Sequence, residues 1–186
     1  MSINRMLAAL ALGVFALGGC AAPPYGAEMR ASMDAPYRLS SGDRLRVIVF
    51  GQENLTNSFS VDGAGNIAMP LIGLVRVQGL TTAELATSLE ARLRGGYLRE
   101  PKVSVEVEAF RPFFVLGEVG SSGQYPFVNG MTAQTAVAIA GGFSPRGDQS
   151  GVEITRMVDG RPMSAFVPLV FPIRPGDTVT VRERFF

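Results

Sequence analysis

The chain has 186 residues, 47% of them hydrophobic, and its 17 basic residues nearly balance 16 acidic ones. That balance excludes the Lys/Arg surplus by which proteins bind nucleic acid. The absence of histidine removes the commonest catalytic base and metal ligand, and a single cysteine leaves no intramolecular disulfide to form.

Arg5 is the only charged residue before the apolar run MLAALALGVFAL at 6–17, which has the basic start and short apolar middle of a secretory signal. The run is too short to cross a bilayer, which takes roughly 20 residues. It ends in Leu17-Gly18-Gly19-Cys20, which resembles the bacterial lipoprotein box. That resemblance implies cleavage after residue 19 and a diacylglyceryl thioether on Cys20. A buried chain of this kind contributes roughly 0.8 kcal/mol per CH₂, so two or three acyl chains anchor firmly. Ala21 follows the cysteine where an aspartate favours retention in the inner membrane, so the expected location is the outer membrane, lipid-anchored and facing the periplasm. Residues 20–36, with AAPPYGAEMRASMDAP after the cysteine, read as a polar, proline-punctuated tether. Loss of residues 1–19 leaves 16 basic and 16 acidic residues.

Residues 37–110 form a first unit. YRLSSGDRLRVIVFG at 37–51 is a turn at Ser41-Gly42-Asp43 followed by a β-branched strand. The segment SVDGAGNIAMPLIGLVRVQGL predicts a hairpin around residues 62–66 and a further strand at 74–77. A helix follows. Thr81 and Glu84 have the spacing of a capping box, Leu80 and Leu85 that of a hydrophobic staple, and Leu85, Leu89 and Leu93 share one face before Gly95-Gly96. Val103, Val105 and Val107 then alternate with Ser104, Glu106 and Glu108, a strand with one wet face. The fold class is α+β.

Residues 111–170 form a second unit. Strands at 113–119 and 125–128 flank the turn 120–123, and Thr132 caps a short helix with Ala133, Ala136, Val137 and Ala140 on a narrow apolar face ended by Gly141-Gly142. Strands at 152–156 and 164–170 complete an order typical of a β-grasp domain. The last segment, 171–186, repeats the first turn: Leu39, Gly42, Asp43, Leu45 and Val47 are echoed by Ile173, Gly176, Asp177, Val179 and Val181. Gly supplies the turn conformation and Asp bonds its own backbone there. Such turns are common before strands, so the echo is compatible with a duplicated device or with coincidence; in either case these four turn residues are structural. This final strand is expected to return to the first unit.

Together YRLSSGDRLRVIVFG, VDGAGNIAMPLIGLVRVQGLT, PKVSVEV, VLGEVGSSGQYPF and AIAGGFSPRGD resemble the polysaccharide biosynthesis/export family, outer-membrane lipoproteins that carry capsule or exopolysaccharide out of the cell. The first unit is similar to the export domain and the second to the soluble-ligand-binding β-grasp (SLBB) domain. The resemblance implies a ring-shaped homo-oligomer around a periplasmic passage for polysaccharide, working with an inner-membrane polysaccharide copolymerase. Some members continue into an amphipathic helix that forms the pore. Here the strand PGDTVTVRERFF is followed by nothing, so a separate outer-membrane β-barrel protein is the expected partner. A glycan-binding or scaffold lipoprotein that forms no conduit shares all these features.

Catalysis is the competing class. A glycan-cleaving pair of carboxylates would have to come from Asp43, Asp62, Glu118, Asp148 and Asp177, nearly all beside glycine in turns. No enzyme activity, metal or cofactor is expected. Tyr97, Tyr125 and Arg146 are candidates for touching sugar, since aromatic faces suit a pyranose and Arg pairs with an acidic glycan. They read equally well as packing or surface residues.

Overall fold

The structure, a computed structural model, describes residues 26–158 and 160–184; Cys20 and the signal segment lie outside the described residues. It comprises two lobes, each with its own apolar core.

The first lobe is built on a three-stranded sheet of β1 (Arg44–Val49), β2 (Asn57–Ser60) and β5 (Val103–Ala109), ordered β2-β1-β5 and antiparallel throughout. A two-stranded ribbon, β3 (Asn66–Met69) and β4 (Gly73–Arg76), closes over the core beside the helix α2 (Thr82–Arg94). Each half of the capping box forms: Thr81 Oγ1 accepts from the Glu84 N–H, and a Glu84 carboxylate oxygen accepts from the Thr81 N–H at 2.8 Å. Those bonds hold the Glu84 carboxyl below its ordinary range. Leu85, Leu89 and Leu93 are fully buried, as their spacing predicts.

The expected hairpin at 62–66 takes a different form. The turn is present, with Asp62 Oδ1 accepting from the N–H groups of Ala64 and Asn66. Beyond it, however, β2 pairs with β1 and β3 pairs with β4. The turn is a corner between two sheets, and the hairpin runs through 70–72 instead. That pairing turns Ile67, Met69 and Val75 onto the leucine face of α2 within one core.

The second lobe is a five-stranded sheet ordered β7-β6-β10-β8-β9, formed by β6 (Phe113–Gly117), β7 (Gly123–Tyr125), β8 (Val152–Val158), β9 (Arg161–Val167) and β10 (Thr178–Val181). Helix α3 (Ala133–Ile139) covers one face with Ala133, Ala136 and Val137 buried. Its first N–H groups, which have no partner inside a helix, donate to the carbonyls of Phe171 and Leu169 at 2.9 Å.

Two expectations are corrected here. The last strand does not return to the first lobe: β10 lies in the middle of the second sheet, parallel to β6 and antiparallel to β8. Without it the facing edges of β6 and β8 would hold unpaired backbone groups around buried side chains, and Val179 and Val181 supply core there. The segment 20–36 is not tether throughout either. Residues Ala27–Asp34 form a helix, α1, and Met29 is fully buried in the second core. Arg174 Nη2 donates to the carbonyls of Met33 and Ala35, holding the C-terminal end of α1 where a cation suits the helix dipole.

The placement of β10 is testable with a nearly isosteric change. Val179→Thr puts a hydroxyl among apolar neighbours and should cost about 1–3 kcal/mol in urea unfolding, the range for an unsatisfied buried polar group. Thr180→Val, on the opposite face of the same strand, should be nearly neutral.

Candidate functional site

The two echoed turns have the same construction. Gly42 and Gly176 adopt φ of 90° and 84°, the left-handed region open to glycine. In each, the aspartate that follows turns its carboxylate back onto its own chain: Asp43 Oδ2 accepts from the Ser40 N–H at 2.8 Å, and Asp177 Oδ2 from the Arg174 N–H at 2.7 Å. Both aspartates are essentially inaccessible to solvent, and each meets a guanidinium. Arg156 grips Asp177 with Nε at 2.9 Å and Nη2 at 2.7 Å, the paired geometry that suits a carboxylate. Arg156 Nη1 also donates to Ser32 Oγ of α1.

Asp43 is held from both lobes. It accepts the Tyr37 hydroxyl at 2.7 Å and the backbone N–H of Arg111 at 3.0 Å, and the Arg111 guanidinium lies 3.5 Å away. Burial, reinforced by the bond to Asp43, raises the Tyr37 phenol well above its ordinary value, so it is a neutral donor. Arg111 Nη1 donates to the same hydroxyl at 2.9 Å. The Arg111 side chain also packs against the backbone of both Gly42 and Gly176, so it lies between the two turns.

Beside this joint a cleft of about 650 Å³ opens between the lobes, lined by Tyr37, Phe110 and Phe127 with Thr81, Glu106 and Arg174 among its polar groups. The three rings form a chain of edge-to-face contacts, with centroids 5.0 Å apart for Tyr37–Phe110 and 5.6 Å for Phe110–Phe127. Burial and the neighbouring Arg156 charge lower the Arg174 guanidinium from its ordinary value. Sequence reasoning missed this cleft. Its available signal was three aromatic residues spread over the two units: Tyr37 before the first Gly-Asp turn, Phe110 at the boundary between units and Phe127 beyond it.

Residues 31–108 match the polysaccharide biosynthesis/export protein family, and residues 112–167 match the SLBB domain. The chain thus carries the export domain of that family joined to an SLBB domain. Its relatives include the exopolysaccharide production protein ExoF of Rhizobium meliloti, 30% identical over 119 residues that cover 58% of this chain and 28% of the relative. The EPS I polysaccharide export outer membrane protein EpsA of Ralstonia nicotianae is 26% identical over 185 residues, 80% of this chain and 48% of the relative. The polysialic acid transport protein KpsD of Escherichia coli is 27% identical over 123 residues, 64% of this chain and 22% of the relative. The chain thus spans less than half the length of these relatives.

Between the export and SLBB matches lie Ala109, Phe110 and Arg111, the segment that makes the joint. The SLBB match ends before β10, yet that strand is the centre of the SLBB sheet. The carboxylates weighed for catalysis are bonded within the structure: Asp43 and Asp177 in the buried pairs, Asp62 and Asp148 in turns that accept backbone N–H groups, Glu118 from Ser144 Oγ at 2.6 Å.

The three sugar-contact candidates fall on separate elements. Tyr97 is exposed just after α2 in the export lobe. Tyr125 is half-buried in β7, tilted against Phe113, with its hydroxyl donating to the Ser121 carbonyl. Arg146 is paired with Glu183, which raises the guanidinium above its ordinary value. Among the described residues no hydrogen bond, ion pair or ring contact joins the three.

Because Arg156 is buried, Asp177→Ala strands a charge in the SLBB core and should destabilise the protein by about 3–5 kcal/mol in denaturant unfolding. Arg146→Ala, which removes an exposed pair, should leave the midpoint almost where it was.

Proposed function

We propose that this protein is the periplasmic part of a polysaccharide export apparatus, moving capsule or exopolysaccharide across the cell envelope without acting as an enzyme on it. The observation that carries the reading is the order of its parts: an export domain followed directly by an SLBB domain, matched by relatives named for exopolysaccharide production, polysaccharide export and polysialic acid transport. Acyl chains on Cys20 hold it to the outer membrane, facing the periplasm. Copies of the chain form a ring around the polymer's path. An inner-membrane copolymerase delivers the glycan, and a separate outer-membrane β-barrel protein passes it outward.

The physical organisation supports a passive role. The five carboxylates weighed for catalysis are bonded in turns, in ion pairs or to a hydroxyl, and a joint bonded from both sides fits a wall better than a moving active site. The aromatic cleft between lobes favours a second reading, a glycan-binding lipoprotein that does not assemble into a conduit. The mass of the detergent-extracted complex separates them, since a conduit needs several copies in one particle.

In cells, deleting the gene should abolish surface polymer while polymer accumulates inside the outer membrane. The wild-type chain should restore export, and Cys20→Ser should restore little of it while losing incorporation of labelled fatty acid. Normal surface polymer in the deletion strain would show the reading to be wrong.

A further inference from the structure

We propose that the end of the export lobe farthest from the SLBB lobe binds an acidic glycan, with Phe50 and Tyr97 offering ring faces and Arg94, Arg99 and Lys102 offering cations. The inference rests on the export reading and names the class of polymer it serves.

The sheet topology brings these residues together. The start of β1 and the end of β5 meet the SLBB lobe through Asp43 and Arg111. The opposite end of the sheet therefore holds the end of β1 and the start of β5, where the Phe50 N–H donates to the Lys102 carbonyl at 3.0 Å. The last turns of α2 reach the same end, because Glu90 accepts from the Val103 N–H at 2.9 Å. Arg94 closes that helix, and the loop from it to β5 carries Tyr97, Arg99 and Lys102. Phe50 is 65% exposed and Tyr97 52%, so two large rings stand in water at this end of the lobe.

Charge at this end is unbalanced. On the face of β1 arginines are met by a carboxylate: Arg44 bonds Glu108 at 2.7 Å, and the charges of Arg44 and Arg46 both hold the Glu108 carboxyl low, after its bonds to Ser58 and Arg44. Among the described residues Arg94, Arg99 and Lys102 make no ion pair and no side-chain hydrogen bond. The carboxylates nearby, Glu53 and Glu100, are fewer than the cations, and Glu90 is committed to Val103. A two-fold contact with a second copy would bring the same positive surplus against itself. A neutral polymer would leave the cations unused. A polymer of uronic or sialic-type sugars uses both features, its carboxylates meeting guanidinium groups in paired bonds and its C–H faces resting on the rings.

The test is calorimetric titration of the full chain in detergent with a polyuronate and, separately, with neutral dextran. The polyuronate should bind and dextran should not, and ~0.5 M salt should weaken binding by about tenfold through screening. The Arg94→Gln/Arg99→Gln/Lys102→Gln variant should lose about tenfold or more in affinity, roughly 1.4 kcal/mol per tenfold. Phe50→Ala with Tyr97→Ala should weaken binding severalfold, and both variants should keep the wild-type unfolding midpoint. Equal affinity for the two polymers, undiminished polyuronate binding by the charge variant, or binding only to phosphatidylglycerol vesicles would overturn the proposal. Full rescue of export by the charge variant, in a strain whose deletion blocks export, would remove this site and leave the export reading standing.

Discussion

Two buried carboxylates set the frame on which everything else is hung. Asp43 and Asp177 each close a turn of their own chain, receive a guanidinium and start a strand that runs into the core of a lobe. Removing a carboxylate from water is costly unless every lone pair finds a donor, and here the donors come from distant parts of the sequence. Arg111 is 68 positions from Asp43, and Ser32 is 124 positions from Arg156. Such pairs add little net stability over well-packed apolar residues, because desolvation offsets their attraction. Their effect is conditional: the turn, the linker and α1 must all be in place before either charge is satisfied.

That condition explains how two lobes with separate cores behave at their joint. Arg111 gives its backbone N–H to Asp43, its guanidinium to Tyr37, and its aliphatic and Nε portion to the backbone of Gly176. Rotation of one lobe on the other would have to break these contacts and part the ring chain Tyr37–Phe110–Phe127. Helix α1 adds a third fastening, since Arg156 and Arg174 hold it while Met29 fills the SLBB core. Chain that precedes β1 in sequence thereby packs on the other lobe in space.

What was legible in the sequence was local. The capping box at Thr81 and Glu84, the leucine stripe of α2 and the alternation of β5 each depend on neighbours a few positions away, so their spacing carried the answer. The turns at Gly42 and Gly176 were legible for the same reason. What those turns led to was not. The same Gly-Asp pattern precedes β1 in one sheet and β10 in another, because a turn dictates the direction of the next few residues and not the partner they find. The parallel pairing of β10 with β6, the pairing of β3 with β4 in place of β2, and the docking of α1 are settled by which core is left open. The cleft was hidden likewise, since its rings come from residues that look like ordinary linker until the lobes are set side by side.

The distribution of charge follows from the same economy of partners. Arg156 and Arg174 near the joint, and Arg44 and Arg182 on the sheet faces, are matched by carboxylates or carbonyls, because there they lie against backbone that must be satisfied or against acids on the next strand. Arg94, Arg99 and Lys102 project from a helix end and a loop, where no neighbouring strand supplies an acid and where folding gains nothing from pairing them. A cation left in water costs the fold little, as its charge stays solvated and screened. Arg94, in the last turn of α2, suits the helix dipole, but no partner is built for any of the three charges, and their grouping beside two exposed rings is separable from the interactions that hold the lobes together.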